Sequence, residues 1–252
     1  MIGQDELKEL RDELADQRRA AEEKELQLDR YASDLRETFK AERARADELR
    51  RSYVATVRAL TNAVEARDAY TGKHAERVAA YGLELAKVVD PALAGDPEIE
   101  FGFLLHDVGK VGVPDAILHK PSGLSRREQG LMRRHPVLGW EIVRHMEFLH
   151  GSAQQIVRFH HERWDGDGYP DRLAGSDIPL PARIFSVADT IDAITTDRPY
   201  RPATSLDNAR EEIATESGRQ FDPQAVAALM EIPDDLLDHI RTESVLTSTA
   251  AP

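Results

Sequence analysis

The chain has 252 residues, 41% of them hydrophobic, which suffices for one sizeable domain and an appendage. A formal net charge of −13 argues against a nucleic-acid polymer as partner, because that binding needs a basic face. There is no cysteine, no apolar run approaching roughly 18 to 20 residues and no basic-then-apolar leader, so disulfides, thiolate metal sites and a membrane partner are not expected and the cytoplasm is the expected compartment.

Residues 1 to about 60 predict one long helix: Gly3 is the only glycine before Gly72, and no proline precedes Pro91. Leu7, Leu14, Ala21, Leu28 and Leu35 recur at heptad spacing, with Leu10 and Tyr31 at the matching d positions and Gln17 and Lys24 weakening that seam. The register then jumps, and Phe39, Ala46, Tyr53 and Leu60 continue the repeat. A jump of this kind is a stutter, which locally unwinds a coiled coil. One chain cannot bury such a stripe, so residues 1–57 predict a parallel homodimeric coiled coil; a charged single helix is the plainer alternative.

Residues 58–232 predict a globular, wholly helical domain. Apolar residues recur at helical spacing in Val78–Val89, Phe101–Leu105, Leu131–Val143, Ile156–Phe159, Ile184–Ile194 and Ala225–Leu229. Pro91, Gly95-Asp96-Pro97, Pro121-Ser122-Gly123, the Gly166–Pro170 stretch and Pro179 punctuate them. Residues 233–252 predict an acidic C-terminal helix and a tail that frays after Arg241.

Two tandem pairs of metal-ligand side chains stand out: His106-Asp107 within LLHDVGKVGVP, and His160-His161 opening HHERWDGDGYP. His74, His135 and Asp189 complete a set with ligand chemistry. A two-metal hydrolytic site holds its ions roughly 3.5–4 Å apart, with an activated water between them. Asp107 is the natural bridging carboxylate, with His106 about 100° around the same helix and available to one ion. Asp189 follows the apolar run IFSVAD, where an unpaired carboxylate would be costly. His119, His145, His150 and His239 read instead as surface residues.

Lys110 lies one turn past Asp107 and offers a cation to a phosphate oxygen, although a plain ion pair with Asp107 would also explain it. Gly109 lets a ligand or a neighbouring helix approach. Arg198 and Arg201, in DRPYR, suit forked phosphate contacts or a helix-end ion pair equally. The loop DGDGYP is too glycine-rich for helix and predicts a wall of the site that presents Tyr169, while loop 111–125 is expected to set how open the site is.

These residues carry a resemblance. From about residue 60 to 230 the chain resembles the HD-GYP domain, a bacterial branch of the HD phosphohydrolase superfamily, through TGKHAERV, HDVGK, KPSGLSRRE, HPVLGWEIV, HHERWDGDGYP and VADTIDAITTDRPYR. HDxGK alone is a weak signal, whereas HDxGK followed by HHExxDGxGYP is highly specific. The resemblance implies an all-α HD helical bundle with extra helices, here preceded by the coiled-coil helix, and two or three metal ions, often iron or manganese.

It also implies a phosphodiesterase that cleaves cyclic di-GMP, to linear pGpG or on to GMP. The ligands it implies are His74, His106, Asp107, His135, His160, His161 and Asp189. The expected catalytic residues are Asp107 and Lys110, and the expected substrate contacts are Lys110 and Tyr169, with Arg198 and Arg201 as further candidates. Members with three metals usually have a Glu four residues before the first His; Tyr70 stands there, which implies two divalent ions and pGpG as the main product. The readings left beside this one are a hydrolase of another nucleotide, and a silent cyclic di-GMP receptor or scaffold acting through the coil. An upstream sensor protein is a conceivable partner of the coil.

Overall fold

The computed structural model describes residues 4–67, 73–197 and 202–242. The chain divides into two units, Met1–Val54 and Ala55–Pro252. Helix α1 (Gln4–Glu65) supplies the whole described part of the first unit and the opening turns of the second, and it runs unbroken through the stutter.

Within the first unit, the described seam residues Leu14, Leu28, Tyr31, Leu35 and Phe39 are each at least 50% exposed. Local pairs support the helix: Gln27 Nε2 donates to the Tyr31 hydroxyl at 3.1 Å, and Arg19 pairs with Asp16. Such pairs contribute about 0.2–0.5 kcal/mol each.

The second unit continues with α2 (His74–Val89), α3 (Pro91–Ala94), α4 (Pro97–Leu105), α5 (Asp115–Leu118), α6 (Arg126–Met132), α7 (His135–Val143) and α8 (Ser152–Phe159). After the GYP loop come α9 (Leu180–Thr195), α10 (Leu206–Thr215), α11 (Pro223–Glu231) and α12 (Asp234–Thr242). The all-α expectation holds: the described residues contain no strand, only an isolated bridge between Ser217 and Phe221. None of the described helices is long and apolar enough to cross a membrane.

The breaks follow local chemistry. Asp96 and Asp222 each precede a proline and cap the next helix, accepting from the amides of Glu98 and Gln224 at 2.9 Å. Proline costs nothing there, because the first-turn amides have no intrahelical partner. Ser125 and Glu128 form a capping box on α6. Leu131–Val143, read in the sequence as one apolar stretch, is instead two helices. The chain turns at Arg133-Arg134, and α7 restarts with His135 and Pro136 in its first turn.

Helices α2, α4, α8 and α9 pack on one another around Tyr81, Leu85, Phe103, Ile156, Ile184 and Phe185, all buried. Burying a side chain such as Phe103 or Phe185 contributes about 1.5–3 kcal/mol. Helix α12 closes over α2, where the Tyr81 hydroxyl donates to the Leu237 carbonyl at 3.2 Å. The tail expected after Arg241 lies, from residue 243, outside the described residues.

Candidate metal centre

Both tandem pairs sit where an α-helix ends. His106 caps α4, and Asp107 opens the 3-10 turn Val108–Gly112; His160 caps α8, and His161 follows it. His106 and Asp107 are therefore not successive positions of one α-helix, as their spacing suggested. Tight 3-10 turns are common at helix ends, and this one lays Gly109 against α7. A Cβ on Gly109 would stand 1.9 Å from the His135 carbonyl oxygen and 2.4 Å from the Gly139 amide. Of the two approaches that Gly109 allowed, the neighbouring helix is the one observed, and it brings His135 to Asp107.

A single rule orients three of the imidazoles. His106, His135 and His160 each turn Nδ1 to the carbonyl oxygen three residues earlier, at Phe103, Met132 and Val157, at 2.9, 2.9 and 3.0 Å. A carbonyl only accepts, so each Nδ1 donates and each Nε2 is left with its lone pair. Those Nε2 atoms converge. His106 Nε2 lies 3.1 Å from Asp107 Oδ2, and His135 Nε2 lies 3.2 Å from Asp107 Oδ1. His160 Nε2 lies 3.1 Å from His135 Nε2.

Ligand atoms group as His74, His106 and Asp107 on one side and His135, His160 and His161 on the other. Asp189 Oδ1 comes within 3.5 Å of His74 Nε2. Its side chain keeps 32% of its exposure and opens toward the pocket, so it is less buried than the run IFSVAD suggested. The four histidines assigned to the surface, His119, His145, His150 and His239, are all exposed.

The electrostatics separate donors from acceptors. Burial opposes ionisation of Asp107, but Lys110 and His106 overcome it and hold the carboxyl well below its usual range. Burial alone pulls His106 down, yet Asp107 and then Asp189 outweigh it and its affinity for a proton rises. Burial, and then neighbouring imidazoles, push His160 well down and take His161 to about 3. Burial lowers His135 as well. His135 and His160 thus face each other with two neutral nitrogen lone pairs 3.1 Å apart. That contact is repulsive unless a cation lies beside it, and the imidazole and carboxylate set is one that divalent transition metals take. The residues present fit a metal centre.

A pocket beside the site is lined by Thr61, Val64 and Glu65 from α1, by His74 and Ala75, by Leu104 to Val108, and by Lys110, His161 and Asp189. None of its described lining comes from loop 111–125, which was expected to control access; the last turns of α1 take that place. Thr61 Oγ1 donates to the Leu104 carbonyl at 3.0 Å, and Glu65 Oε1 accepts the Ala75 amide at 2.9 Å. Lys110 Nζ stands 2.8 Å from Asp107 Oδ2, so the plain ion pair forms, and it does so on the pocket wall.

Tyr169 stacks on His161, with centroids 4.7 Å apart and planes at 26°, and Arg133 lies over its outer face at 5.1 Å. The preceding Gly168 is obligatory, because a Cβ there would come within 2.4 Å of the Arg163 amide. Glu162 anchors the loop by accepting the amides of Asp171 and Leu173 at 2.7 and 3.1 Å. Sequence reasoning missed Glu162, Glu65, Arg77 and Asp192. Glu162 adjoins the His pair, and Asp192 lies one turn after Asp189; those spacings were the available signals. Arg198, Arg201 and Tyr70 lie outside the described residues.

The family model that matches is that of the HD domain, over residues 58–225. The chain belongs to the HD-domain family. Its His106-Asp107 pair, followed by Gly168-Tyr169-Pro170, makes it a member of the HD-GYP type. It is 43% identical to the 3'3'-cGAMP-specific phosphodiesterase 2 of Vibrio cholerae, over 71% of this chain and 34% of that protein. It is 40% identical to the cyclic di-GMP phosphodiesterase response regulator RpfG of Xanthomonas campestris, over 69% of this chain and 47% of that protein. With a cyclic di-GMP phosphodiesterase of Thermotoga maritima it shares 37% identity, over 71% and 49%.

The chain thus spans between about a third and a half of the length of these curated relatives. A solved cyclic GMP-AMP specific phosphodiesterase of Vibrio cholerae superposes with a TM-score of 0.56 at 22% identity, over 75% of this chain and 50% of that one. A HDG"Y"P protein from Bdellovibrio bacteriovorus does so with a TM-score of 0.50 at 22% identity, over 66% and 51%. These two likenesses show the shared fold.

Proposed function

We propose that the chain is the catalytic part of a metal-dependent phosphodiesterase that hydrolyses cyclic di-GMP, mainly to linear pGpG. The observation that carries this reading is the placement of Asp107, whose two oxygens lie 3.1 and 3.2 Å from one imidazole of each ligand group. A carboxylate so placed suits a bridge between two ions. His74, His106 and Asp189 would serve one ion, and His135, His160 and His161 the other. Two iron or manganese ions held there would activate a water and neutralise charge developing at phosphorus.

The remaining work falls to the chain itself. The i−3 carbonyls keep the imidazole lone pairs turned inward. Lys110, on the pocket wall, offers its ammonium to a phosphate oxygen of the substrate. Tyr169 lies outside the pocket's described lining, behind His161 on which it stacks, and its ring edge is the part proposed to meet the nucleotide. Arg198 and Arg201 are proposed to supply forked phosphate contacts. Tyr70, in place of the carboxylate of three-metal members, supports two ions and a single cleavage.

The exposed seam of α1 supports a parallel homodimer through residues 1–57, which would couple two such domains or pass on the state of a sensor protein. A second reading, hydrolysis of 3'3'-cGAMP, draws support from the 43% identity to a Vibrio cholerae enzyme named for that substrate.

The test is product analysis. The protein is purified without oxygen, loaded with Fe(II) or Mn(II), given each cyclic dinucleotide, and the products are separated by chromatography beside Asp107→Ala. Accumulating pGpG with an inert Asp107→Ala variant is the expected result. Turnover of 3'3'-cGAMP alone moves the assignment to the second reading. Tight binding of cyclic di-GMP without turnover makes the chain a receptor.

A further inference from the structure

His74 departs from the rule that orients the other imidazoles. His106, His135 and His160 each use a carbonyl three residues back on their own chain segment. His74 is the first residue of α2, entered through Lys73 in the left-handed region at φ 72°, so no preceding turn of its helix lies behind it. Its Nδ1 turns instead to a different element: Asp192 Oδ2 of α9 stands 2.7 Å away.

Asp192 is almost wholly buried, at 1% exposure. Arg77, one turn after His74, grips both its oxygens, through Nε and through Nη2 at 3.1 Å, and Thr196 Oγ1 donates at 3.4 Å. A carboxylate surrounded by donors stays ionised and accepts, so the proton of the His74–Asp192 bond belongs to Nδ1 and the Nε2 lone pair faces Asp189.

We propose that Asp192 is a positioning residue: it replaces the missing helical carbonyl, fixing the ring and tautomer of His74, while Arg77 fixes Asp192. This rests on the metal reading of His74 given above. A carboxylate behind a ligating imidazole raises its basicity, and losing such a partner costs about 10- to 100-fold in metal affinity. The effect is selective. The hydrogen bonds and ion pairs of Asp192 run to His74, Arg77 and Thr196 and not to His135, His160 or His161, so the ion those three would hold keeps its affinity.

The test is anaerobic Mn(II) titration, followed by calorimetry and by metal content after desalting, on wild type, Asp192→Asn, His74→Ala and the double variant. Wild type is expected to retain two ions per chain. Asp192→Asn should retain one, with the weaker affinity down about 10- to 100-fold. The double variant should match His74→Ala, because Asp192 acts through His74. Asp192→Asn that holds both ions like wild type overturns the proposal, and so does a double variant markedly worse than His74→Ala.

The retained ion also reports that the domain is folded. Should Asp192→Asn not fold, the wild type answers alone: in the zinc-loaded, 15N-histidine-labelled protein, NMR should place the His74 proton on Nδ1. A proton on Nε2 overturns the proposal without any variant. A wild type that retains no ion sinks the metal reading itself, an outcome distinct from two ions retained in both wild type and Asp192→Asn.

Discussion

Between residues 13 and 52 every Leu, Tyr and Phe stands in solvent, whereas Phe101, Phe103, Leu104 and Leu105 of α4 are each 5% exposed or less. The two helices are opposite in kind. Helix α1 carries a heptad stripe, a spacing that suits a single facing surface. Helix α4 is buried on every side over Phe101–Leu105, so the helical spacing expected there singles out no one face. The regular pattern lies where the apolar side chains stand in solvent, and the one without a single face lies where the chain packs on itself. The candidate ligands His74, His106, His135 and His160 stand at helix ends of the packed region, and Asp189 stands inside α9.

If that contrast is real, changes in the two regions should separate. The largest effect is expected from Asp107→Ala, which removes the proposed bridge. Losing several kcal/mol of transition-state stabilisation corresponds to a fall in turnover of about 10³ or more. Single-turnover assays should show it, while sedimentation shows an unchanged association state.

Paired substitutions Leu28→Glu and Leu35→Glu attack the other region. They are expected to convert a dimer to a monomer in analytical ultracentrifugation and to lower helical ellipticity, with metal content unchanged. Loss of metal in that variant would mean that the two regions do not act independently. A shift of register by insertion at residues 35–39 sharpens the point: turnover should change at constant metal content, since a stutter is a natural place for two packings of similar energy. Indifference to register would leave the coil as a dimerisation handle alone.

A smaller effect, on stability, is expected from Gly109→Ala. The added methyl has backbone within 1.9 Å, so α7 must shift. Overpacking of this kind costs about 1–3 kcal/mol, and it should lower the denaturation midpoint and loosen the hold on metal without altering association.

The smallest effect is a pH dependence at the surface. Lys120, and then Ser125, pull the Glu128 carboxyl down to about 2 from an ordinary value of 4.5. A group depressed on folding stabilises above its unfolded value and loses that contribution as pH falls toward the folded one. The difference in thermal midpoint between wild type and Glu128→Gln should therefore be full above pH 4.5 and vanish toward pH 2. Salt should shrink it, because the pair is only half-buried and solvent reaches it.

The sequence alone determined the helical class, the long first helix and the two tandem pairs of candidate ligands, because each depends on spacing within a few residues. Heptads, Asp-Pro and Ser-x-x-Glu caps, and HDxGK followed by HHExxDGxGYP are all local chemistry. Tertiary structure decided what lies between segments distant in the chain. Gly109 meets α7, Thr61 and Glu65 line the pocket in place of loop 111–125, and Asp192 reaches back across more than a hundred residues to His74. Helix ends mislead a periodic reading, because the 3.6-residue period stops where the candidate ligand pairs begin, at His106 and His160. From there each side chain's direction is set by the atom it bonds, and that atom is known only once the helices have packed.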